Sequence, residues 1–385
     1  MSVTDQLDRL AAFEPAPYPV VSLYLNTQPG QTGRDQYQTF VRKEFSARSR
    51  TYPPHSPERE CLAQDLERIS KYLGTELEPS ANGVAIFACS AGELFEAIQL
   101  TVPIVEQHGL YIGDRPHLYP LARVESLYPR YAVVLANTNT ARILVVSTGE
   151  VVTDKEITGT RTRRTTQGGW SQARFQRHIE NFHLQHAKEV IDALDRIVQA
   201  ENIENIVIAG DEVIVPLLRD QMPKQLAERI VDHIRVDKDG SLDDVVKTSL
   251  EAMQRVREQT EREKVEAAVG GYRAGGLGVV GPEETLDALI KGQVDELLVT
   301  VDLNELQALS VGNSEAAVAN DTTLEEPMVE PLAAGEAAQA SSETVRLADE
   351  LVAKATQTSA RITFVQDPDL LAAYGGVAAL LRFRI

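Results

Sequence analysis

Two adjacent glycines near the middle of the chain are the clearest candidates for chemistry. Gly168 and Gly169 are followed by Trp170, and an arginine-containing segment, residues 171–177, comes directly after them. Glycine accepts positive φ values and lets the backbone come close to a ligand. The pattern therefore predicts a loop whose backbone approaches a bound molecule; a flexible surface turn before a helix is the alternative interpretation.

Charge singles out the same part of the chain. Residues 157–179 contain no Asp or Glu, whereas the whole chain carries a formal net charge of −19. Binding to phosphate requires cations, and the guanidinium group grips phosphate with two hydrogen bonds. The stretch therefore favours a local phosphate contact, with a solvated charge run as the alternative for any single side chain. The candidate phosphate-binding residues are Arg161, Arg163, Arg164, Arg174 and Arg177.

A long helix must position these residues. Apolar side chains recur at helical spacing from Gln172 to Val198, which predicts a helix that begins directly after the loop. Upstream, Tyr131–Ala136 and Arg142–Val146 have the pattern of two strands, and the Asn137–Thr140 turn between them predicts a hairpin. The loop would then connect a sheet to the start of the helix.

Periodicity along the chain predicts an α+β protein of three domains with mixed sheets. We place the domains at residues 1–126, 127–268 and 269–385. The first combines helical stretches with buried-type strands such as 83–89, and the glycines at 270–271 indicate a hinge before the last. The spacing of helices and strands thus indicates that the glycine loop belongs to the central domain.

Residues 310–344 differ from the rest of the third domain. They contain no Lys or Arg, many Ala, Gly, Ser and Glu, and two Pro. Such a segment cannot bury enough apolar surface to offset the entropy lost on ordering. We therefore expect a disordered or poorly ordered low-complexity insert near 310–344.

Composition excludes several classes of protein. No apolar run approaches the length of a membrane-spanning helix, and the N-terminus has no secretory signal, which predicts a cytoplasmic protein. Cys61 and Cys89 are too few and too far apart for a metal knuckle or a disulfide framework. His183 and His186 have i, i+3 spacing without a third ligand, so we predict surface or interfacial histidines, no metal and no cofactor.

Two parts of the chain resemble the archaeal and eukaryotic class-1 peptide chain release factor and Pelota family. Residues 167–177 are similar to the family's Gly-Gly-Gln loop, followed by Ser, a spacer, Arg-Phe and a further Arg at a helix start. Residues 278–292 and 374–383 are similar to the family's C-terminal domain, an α/β sandwich. The resemblance covers about residues 130–385 in order and spacing, and it extends to the divergent bacterial branch.

Two departures separate this chain from family members that read codons and hydrolyse peptidyl-tRNA. Trp170 stands where the family has its catalytic Gln, and residues 51–56 lack the codon-reading Asn-Ile-Lys-Ser motif expected between two helices of the first domain. The indole is larger than a Gln side chain and has a single donor. We therefore expect no stop-codon decoding, and an indole that blocks close approach or stacks on a base.

The resemblance also implies roles for the loop residues. In the family the loop reaches the peptidyl transferase centre, where backbone N–H groups can stabilise an oxyanion at the ester of peptidyl-tRNA. The catalytic candidates are Gly168, Gly169, Trp170 and Gln172, the last as a displaced surrogate. The five arginines would contact rRNA or tRNA. The third domain would dock a GTPase of the elongation factor Tu class, by analogy with the family.

Three functions follow from these residues. The first is a non-decoding factor that occupies the A site of stalled or idle ribosomes, in rescue or hibernation. The second is a peptidyl-tRNA hydrolase acting through the Gly-Gly-Trp loop, and the third is an off-ribosome RNA-binding adaptor. Trp170 favours the first over the second, and the Arg174-Phe175 helix start favours both over the third.

Overall fold

The computed structural model describes nine stretches of the chain. They are residues 3–14, 17–29, 36–158, 172–210, 213–234, 241–307, 328–335, 338 and 340–384. At residue 36 and residues 172–178 the backbone alone is described. The described part contains ten α-helices and fourteen β-strands in three sheets, which confirms the predicted mixed α+β fold.

The helices are α1 (Val3–Ala11), α2 (Gln36–Arg48), α3 (Pro57–Thr75), α4 (Tyr119–Leu127), α5 (Gln172–Ala200), α6 (Ile214–Gln221), α7 (Lys224–Ala227), α8 (Leu242–Arg273), α9 (Pro282–Ile290) and α10 (Ser342–Gln357). The strands are β1 (Val20–Asn26), β2 (Gly83–Cys89), β3 (Leu94–Leu100), β4 (Gly109–Gly113), β5 (Tyr131–Ala136), β6 (Thr140–Ser147), β7 (Glu150–Thr158), β8 (Asn205–Gly210), β9 (Ile230–Ile234), β10 (Gly278–Val280), β11 (Val294–Thr300), β12 (Leu332–Gly335), β13 (Arg361–Val365) and β14 (Val377–Leu381).

The chain forms two compact units. Residues 1–127 and 260–385 make up the first, here called the terminal unit, and residues 128–259 make up the second, the central unit. Segments from both ends of the chain therefore share one unit. The division into three domains in sequence order stays a prediction.

The N-terminal sheet of the terminal unit is antiparallel, with the strand order β12-β4-β1-β2-β3. Successive side chains of a strand point to opposite faces. Along β1, Leu23 and Leu25 therefore join the core formed with α2 and α3, whereas Tyr24 meets Phe87 edge-on from the other face. Both faces are covered, which accounts for the uninterrupted burial of β1 up to Asn26.

Strand β12 comes from the segment in which we expected little order. Residues 332–335 pair antiparallel with β4, from Leu332 opposite Ile112 to Gly335 opposite Gly109. The expectation of disorder is therefore wrong for these four residues. Composition could not reveal the strand, because its hydrogen-bonding partner is an edge more than 200 positions earlier in the sequence. Residues 308–327 lie outside the described part.

The C-terminal sheet of the terminal unit has the order β10-β14-β11-β13, with β11 and β13 parallel. Its glycine turn explains the motif near the C-terminus. Gly376 has a φ of +81°, and a Cβ atom there would lie 2.8 Å from the carbonyl oxygen of Glu305. The carbonyl oxygen of Gly376 also accepts a hydrogen bond from Thr300 N at 2.9 Å. This position thus requires glycine for packing rather than for chemistry.

The sheet of the central unit has the order β7-β6-β5-β8-β9, with β5, β8 and β9 parallel. Alternation along β5 sends Val134 into a core with α5 and α6, and sends Val133 into a second core with the first half of α8. The central unit is therefore a sheet between two helical layers.

No helix in the described part of the chain is long and apolar enough to cross a lipid bilayer.

Replacing Gly376 by Ala should destabilise the terminal unit by about 1–3 kcal/mol, because it adds strain at a positive φ to a clash with backbone. Gly270→Ala is the control: a Cβ there meets nothing within 4 Å, and Gly270 lies inside α8. Ala in a helix interior should stabilise by up to about 1 kcal/mol. Urea unfolding measures both. Equal effects of the two substitutions would contradict a packing requirement at Gly376.

Candidate functional site

Strand β7, which precedes the Gly168-Gly169 segment in the sequence, ends at one defined edge of the central sheet. Strand β7 ends at Thr158, which pairs with Thr140 of β6, and helix α5 begins at Gln172. Because β5 and β7 each run antiparallel to β6, they end at the same edge, as does β8, which is parallel to β5. Thr158, the last described residue before this segment, therefore lies at the edge where these three strands end.

The predicted hairpin at this edge is confirmed. Asn137 N donates to the carbonyl oxygen of Thr140 at 2.9 Å, which closes the turn between β5 and β6. The side-chain oxygen of Asn137 accepts from Asn139 N at 2.9 Å and from Thr140 N at 2.8 Å. An Asn that binds its own turn in this way fixes the edge locally. The anchor of the loop on β7 therefore lies beside a rigid turn.

Helix α5 is much longer than the strands that it covers. Its 29 residues span about 43 Å at about 1.5 Å per residue. Strand β8, to which it leads, has six residues and spans about 20 Å. The C-terminal end of α5 lies near the start of β8, because only residues 201–204 separate them. The N-terminal half of the helix must then extend past the edge of the sheet at which β5, β7 and β8 end.

Burial along α5 agrees with this difference in length. Among its described side chains, which begin at Ile179, the first buried one is His186. The core residues of the helix all follow in its C-terminal half: Ala187, Val190, Ile191, Ala193, Leu194, Ile197 and Val198. The fourteen residues before His186 correspond to about 21 Å of helix. The helix therefore carries its first residues well beyond the hydrophobic core of the central unit.

The structure reaches the candidate residues only in part. Gln172 is the first residue of α5, as predicted, and Arg174 and Arg177 follow within its first two turns. For these three residues the backbone alone is described. The remaining candidates lie outside the described residues: Gly168, Gly169, Trp170, Arg161, Arg163 and Arg164. Their proposed roles stay predictions.

The start of α5 is favourable for an anion. The first turn of the helix contains no acidic residue. Unpaired N–H groups and the helix dipole give a helix N-terminus a partial positive charge, worth about 0.3–1 kcal/mol for a nearby anion. Arg174 adds a full positive charge in the same turn.

The two spaced histidines of α5 have different surroundings. His183 is partly exposed, whereas His186 is buried with 3% of its surface exposed, so the prediction of a surface or interfacial side chain is wrong for His186. Neither ring nitrogen of His186 has a hydrogen-bond partner among the described residues. Within that part of the chain, no group of three or more His, Cys, Asp or Glu is arranged to hold a metal ion.

The turn that would carry a codon-reading motif has a structural role in this chain. Ser56 Oγ accepts a hydrogen bond from Arg59 N at 3.2 Å and thereby caps α3, with Pro57 in its first turn. His55 has a positive φ of 65°. Ser and Pro at these two positions are typical of a helix start.

A buried polar cluster in the terminal unit was not predicted from the sequence. Asp349 Oδ2 lies 2.8 Å from His117 Nδ1, and Asp349 Oδ1 accepts hydrogen bonds from Leu118 N and Tyr119 N at 2.8 and 3.0 Å. Tyr24 Oη donates to the carbonyl oxygen of His117. Burial raises the pKa of Tyr24 and Tyr119 well above the usual range, so both hydroxyls remain donors at neutral pH. No sequence signal joins these residues, which lie about 230 positions apart.

Comparison with known families accounts for both halves of the resemblance. Residues 116–255 match the sequence model described as "Bacterial archaeo-eukaryotic release factor family 10", and residues 259–385 match the one described as "eRF1 domain 3". The first match includes the loop and α5. The second includes the glycine turn of the C-terminal sheet.

Two sequence relatives and one solved structure are also similar to this chain. The chain is 25% identical over 280 residues to the Mycobacterium tuberculosis protein Rv2629, covering 71% of each chain. It is 24% identical over 234 residues to peptide chain release factor subunit 1 of Methanobrevibacter smithii, covering 57% of each. Archaeal Pelota, in a ribosome-bound complex with ABCE1, superposes at a TM-score of 0.42 with 14% identity, covering 100% of this chain and 95% of that one.

His186→Leu should raise the free energy of unfolding of the central unit by about 1–3 kcal/mol, because a buried polar group without a partner carries a desolvation cost. The control is His183→Leu at the partly exposed neighbour, which should change stability by no more than about 0.5 kcal/mol. Thermal unfolding of the full chain measures both. A loss of stability in His186→Leu would mean that the imidazole has a partner beyond the described residues.

Proposed function

We propose a function on the basis of family: this chain is a relative of the archaeal and eukaryotic class-1 peptide chain release factor and Pelota family, in its bacterial branch. It is a translation factor that binds the ribosome. More specifically, it occupies the A site of stalled or idle ribosomes, in rescue or hibernation, without reading a codon. Its Gly-Gly-Trp loop enters the peptidyl transferase centre.

The observation that carries this proposal is the position of α5. The helix begins directly after Ser171, and its N-terminal half extends beyond the core of the central unit. A loop attached to the start of such a helix can enter a narrow cavity, since about 21 Å of helix separates it from the first core residue. The ribosomal cavity is walled by RNA, whose phosphates are negatively charged. A helix start that has arginines and no acidic residue can therefore enter it without charge repulsion.

Trp170 favours occupation of the ribosome over hydrolysis. Gly168 and Gly169 allow close approach of the backbone, and Trp170 retains its N–H group. Its indole cannot supply both a donor and an acceptor as a Gln side chain can. It can instead stack on an exposed base, which contributes about 1–3 kcal/mol. We therefore favour a factor that binds and blocks over one that releases the peptide.

The first domain supports a role without decoding. The turn at residues 51–56 lacks the Asn-Ile-Lys-Ser motif, and Ser56 is engaged in capping α3. The domain can still contribute shape and charge to binding.

The peptidyl-tRNA hydrolase remains the second candidate function, with Gln172 as the surrogate for the family's Gln. The off-ribosome RNA-binding adaptor is the third.

Partners follow from the same family. The ribosome would supply rRNA and the end of peptidyl-tRNA as contacts for the five arginines of the loop segment. The eRF1 domain 3 match at residues 259–385 makes a GTPase of the elongation factor Tu class the proposed protein partner. That partner would carry the factor to the ribosome.

Peptide release from stalled ribosomes separates the first two functions. We expect the wild-type chain to release peptide no faster than buffer alone, because Trp170 lacks the groups that position water. Trp170→Gln restores the family's side chain and should release peptide. Gly169→Ala serves as the backbone control and should remain inactive. Release by the wild type that disappears in Gly169→Ala would instead establish the hydrolase.

Binding to ribosomes tests the interaction itself. Arg174→Glu and Arg177→Glu should weaken co-sedimentation with ribosomes, and removing one arginine–phosphate interaction should reduce the salt slope by about 1. Arg196→Glu is the matched control, because Arg196 is exposed on the same helix but in its packed C-terminal half. If all three variants bind equally, the start of α5 does not bind phosphate. Absence of the wild type from ribosomal fractions at low salt would favour the off-ribosome adaptor.

A further inference from the structure

One C-terminal strand completes the N-terminal sheet of the terminal unit. Among the described strands, β12 pairs with β4 alone, and residues 332–335 supply the outer edge of that sheet. Without β12, strand β4 would present a row of unpaired N–H and C=O groups. The first 127 residues therefore do not contain all the strands of their own sheet.

Contacts on both sides of β12 fix its position on the sheet. Arg48 Nη2 donates to the carbonyl oxygen of Ala333 at 3.0 Å, and Met328 N donates to Asp114 Oδ2 at 3.2 Å. Gly335 has a φ of +67°, and a Cβ atom there would lie 1.9 Å from the carbonyl oxygen of His108. Only glycine fits at this point, so the register of the strand is set by close backbone contact.

The side-chain carboxylate of Asp349, in helix α10, also caps helix α4. A helix start leaves N–H groups without partners, and a nearby side chain usually accepts from them. Neither Leu118 nor Tyr119 can do so, and the first turn of α4 contains no acid. Asp349 of α10 accepts from both backbone N–H groups and also binds His117, with 3% of Asp349 exposed. The cap of α4 thus comes from a residue 230 positions further along the chain.

Side chains around these contacts also join the N-terminal segment to the C-terminal segment. The ring of Tyr119 meets that of Phe364 at 4.9 Å between centroids, and Tyr119 Oη donates to the carbonyl oxygen of Thr300. Tyr111 of β4 packs against Val345 of α10. Each pair joins the N-terminal segment to the C-terminal segment. Both hydrophobic and polar groups of β4 and α4 thus depend on residues from 300 onward.

We propose that residues 328–335 together with Asp349 form a clasp that completes the N-terminal sheet and α4. The N-terminal segment reaches its final structure only when the C-terminal segment is in place. A chain that ends before residue 328 leaves the edge of β4 and the start of α4 without partners. Any change that moves α10 also removes the cap of α4, which couples the two ends of the chain physically.

Hydrogen exchange of the full wild-type chain, measured by mass spectrometry across low denaturant concentrations, tests the clasp. Amides of residues 109–127 and of α10 should lose protection together, because α4 cannot keep its cap once α10 leaves. Loss of protection in 109–127 at a lower denaturant concentration than in α10 would overturn the proposal. This measurement requires no variant and remains informative if the variants below do not fold.

Two substitutions in the full chain break the clasp separately. Asp349→Ala removes the side-chain oxygens that accept from Leu118 N and Tyr119 N, and Gly335→Ala places a Cβ against the carbonyl oxygen of His108. Each should accelerate exchange in residues 109–127 by roughly tenfold or more. The matched controls are Asp295→Ala, at a site where 45% of the side chain is exposed, and Gly270→Ala, where a Cβ meets nothing within 4 Å. Wild-type rates in both clasp variants would overturn the proposal.

Discussion

The length of one helix relative to its sheet is the constraint on which the functional assignment depends. Helix α5 packs on the central sheet together with α6, and it has about twice the length of β8. The excess lies at the N-terminal end, because the core residues of α5 begin directly after His186 and continue toward Ala200. The hydrophobic core thus holds the C-terminal half of the helix, and the N-terminal half extends beyond that core.

In the terminal unit, segments that are distant in sequence complete each other's secondary-structure elements. Strand β4 obtains its outer neighbour from β12, and α4 obtains its cap from Asp349. Each of these contacts satisfies backbone groups that would otherwise be unpaired. The consequence is a unit assembled from both ends of the chain, while the central unit contains the loop-bearing helix. The central unit thus has a helix that extends beyond its core, and the terminal unit is completed by segments from both ends of the chain.

Sequence patterns predicted elements well wherever the signal is local. The strand at 83–89 and the helix start at Gln172 follow from periodicity, and both lie where they were predicted. Strand β12 and helix α4 were missed, since the partner of one and the cap of the other are remote in sequence. In the candidate site, the start of α5 was predicted from the sequence, whereas its extension beyond the core follows only from comparing helix and strand lengths. The side-chain chemistry of the loop remains a prediction, because residues 159–171 lie outside the described part.

Directed hydroxyl-radical cleavage of rRNA tests the central claim most directly, namely that the loop enters the peptidyl transferase centre. Both native cysteines, Cys61 and Cys89, are free and buried, so an iron chelate can be attached at one introduced cysteine. With the chelate at Ser171→Cys, we expect cleavage in rRNA of the peptidyl transferase centre. The same chelate at Gln199→Cys, an exposed site at the other end of α5, should leave that RNA intact. Identical cleavage from both sites, or none from Ser171→Cys on ribosomes that retain the protein, would contradict the account.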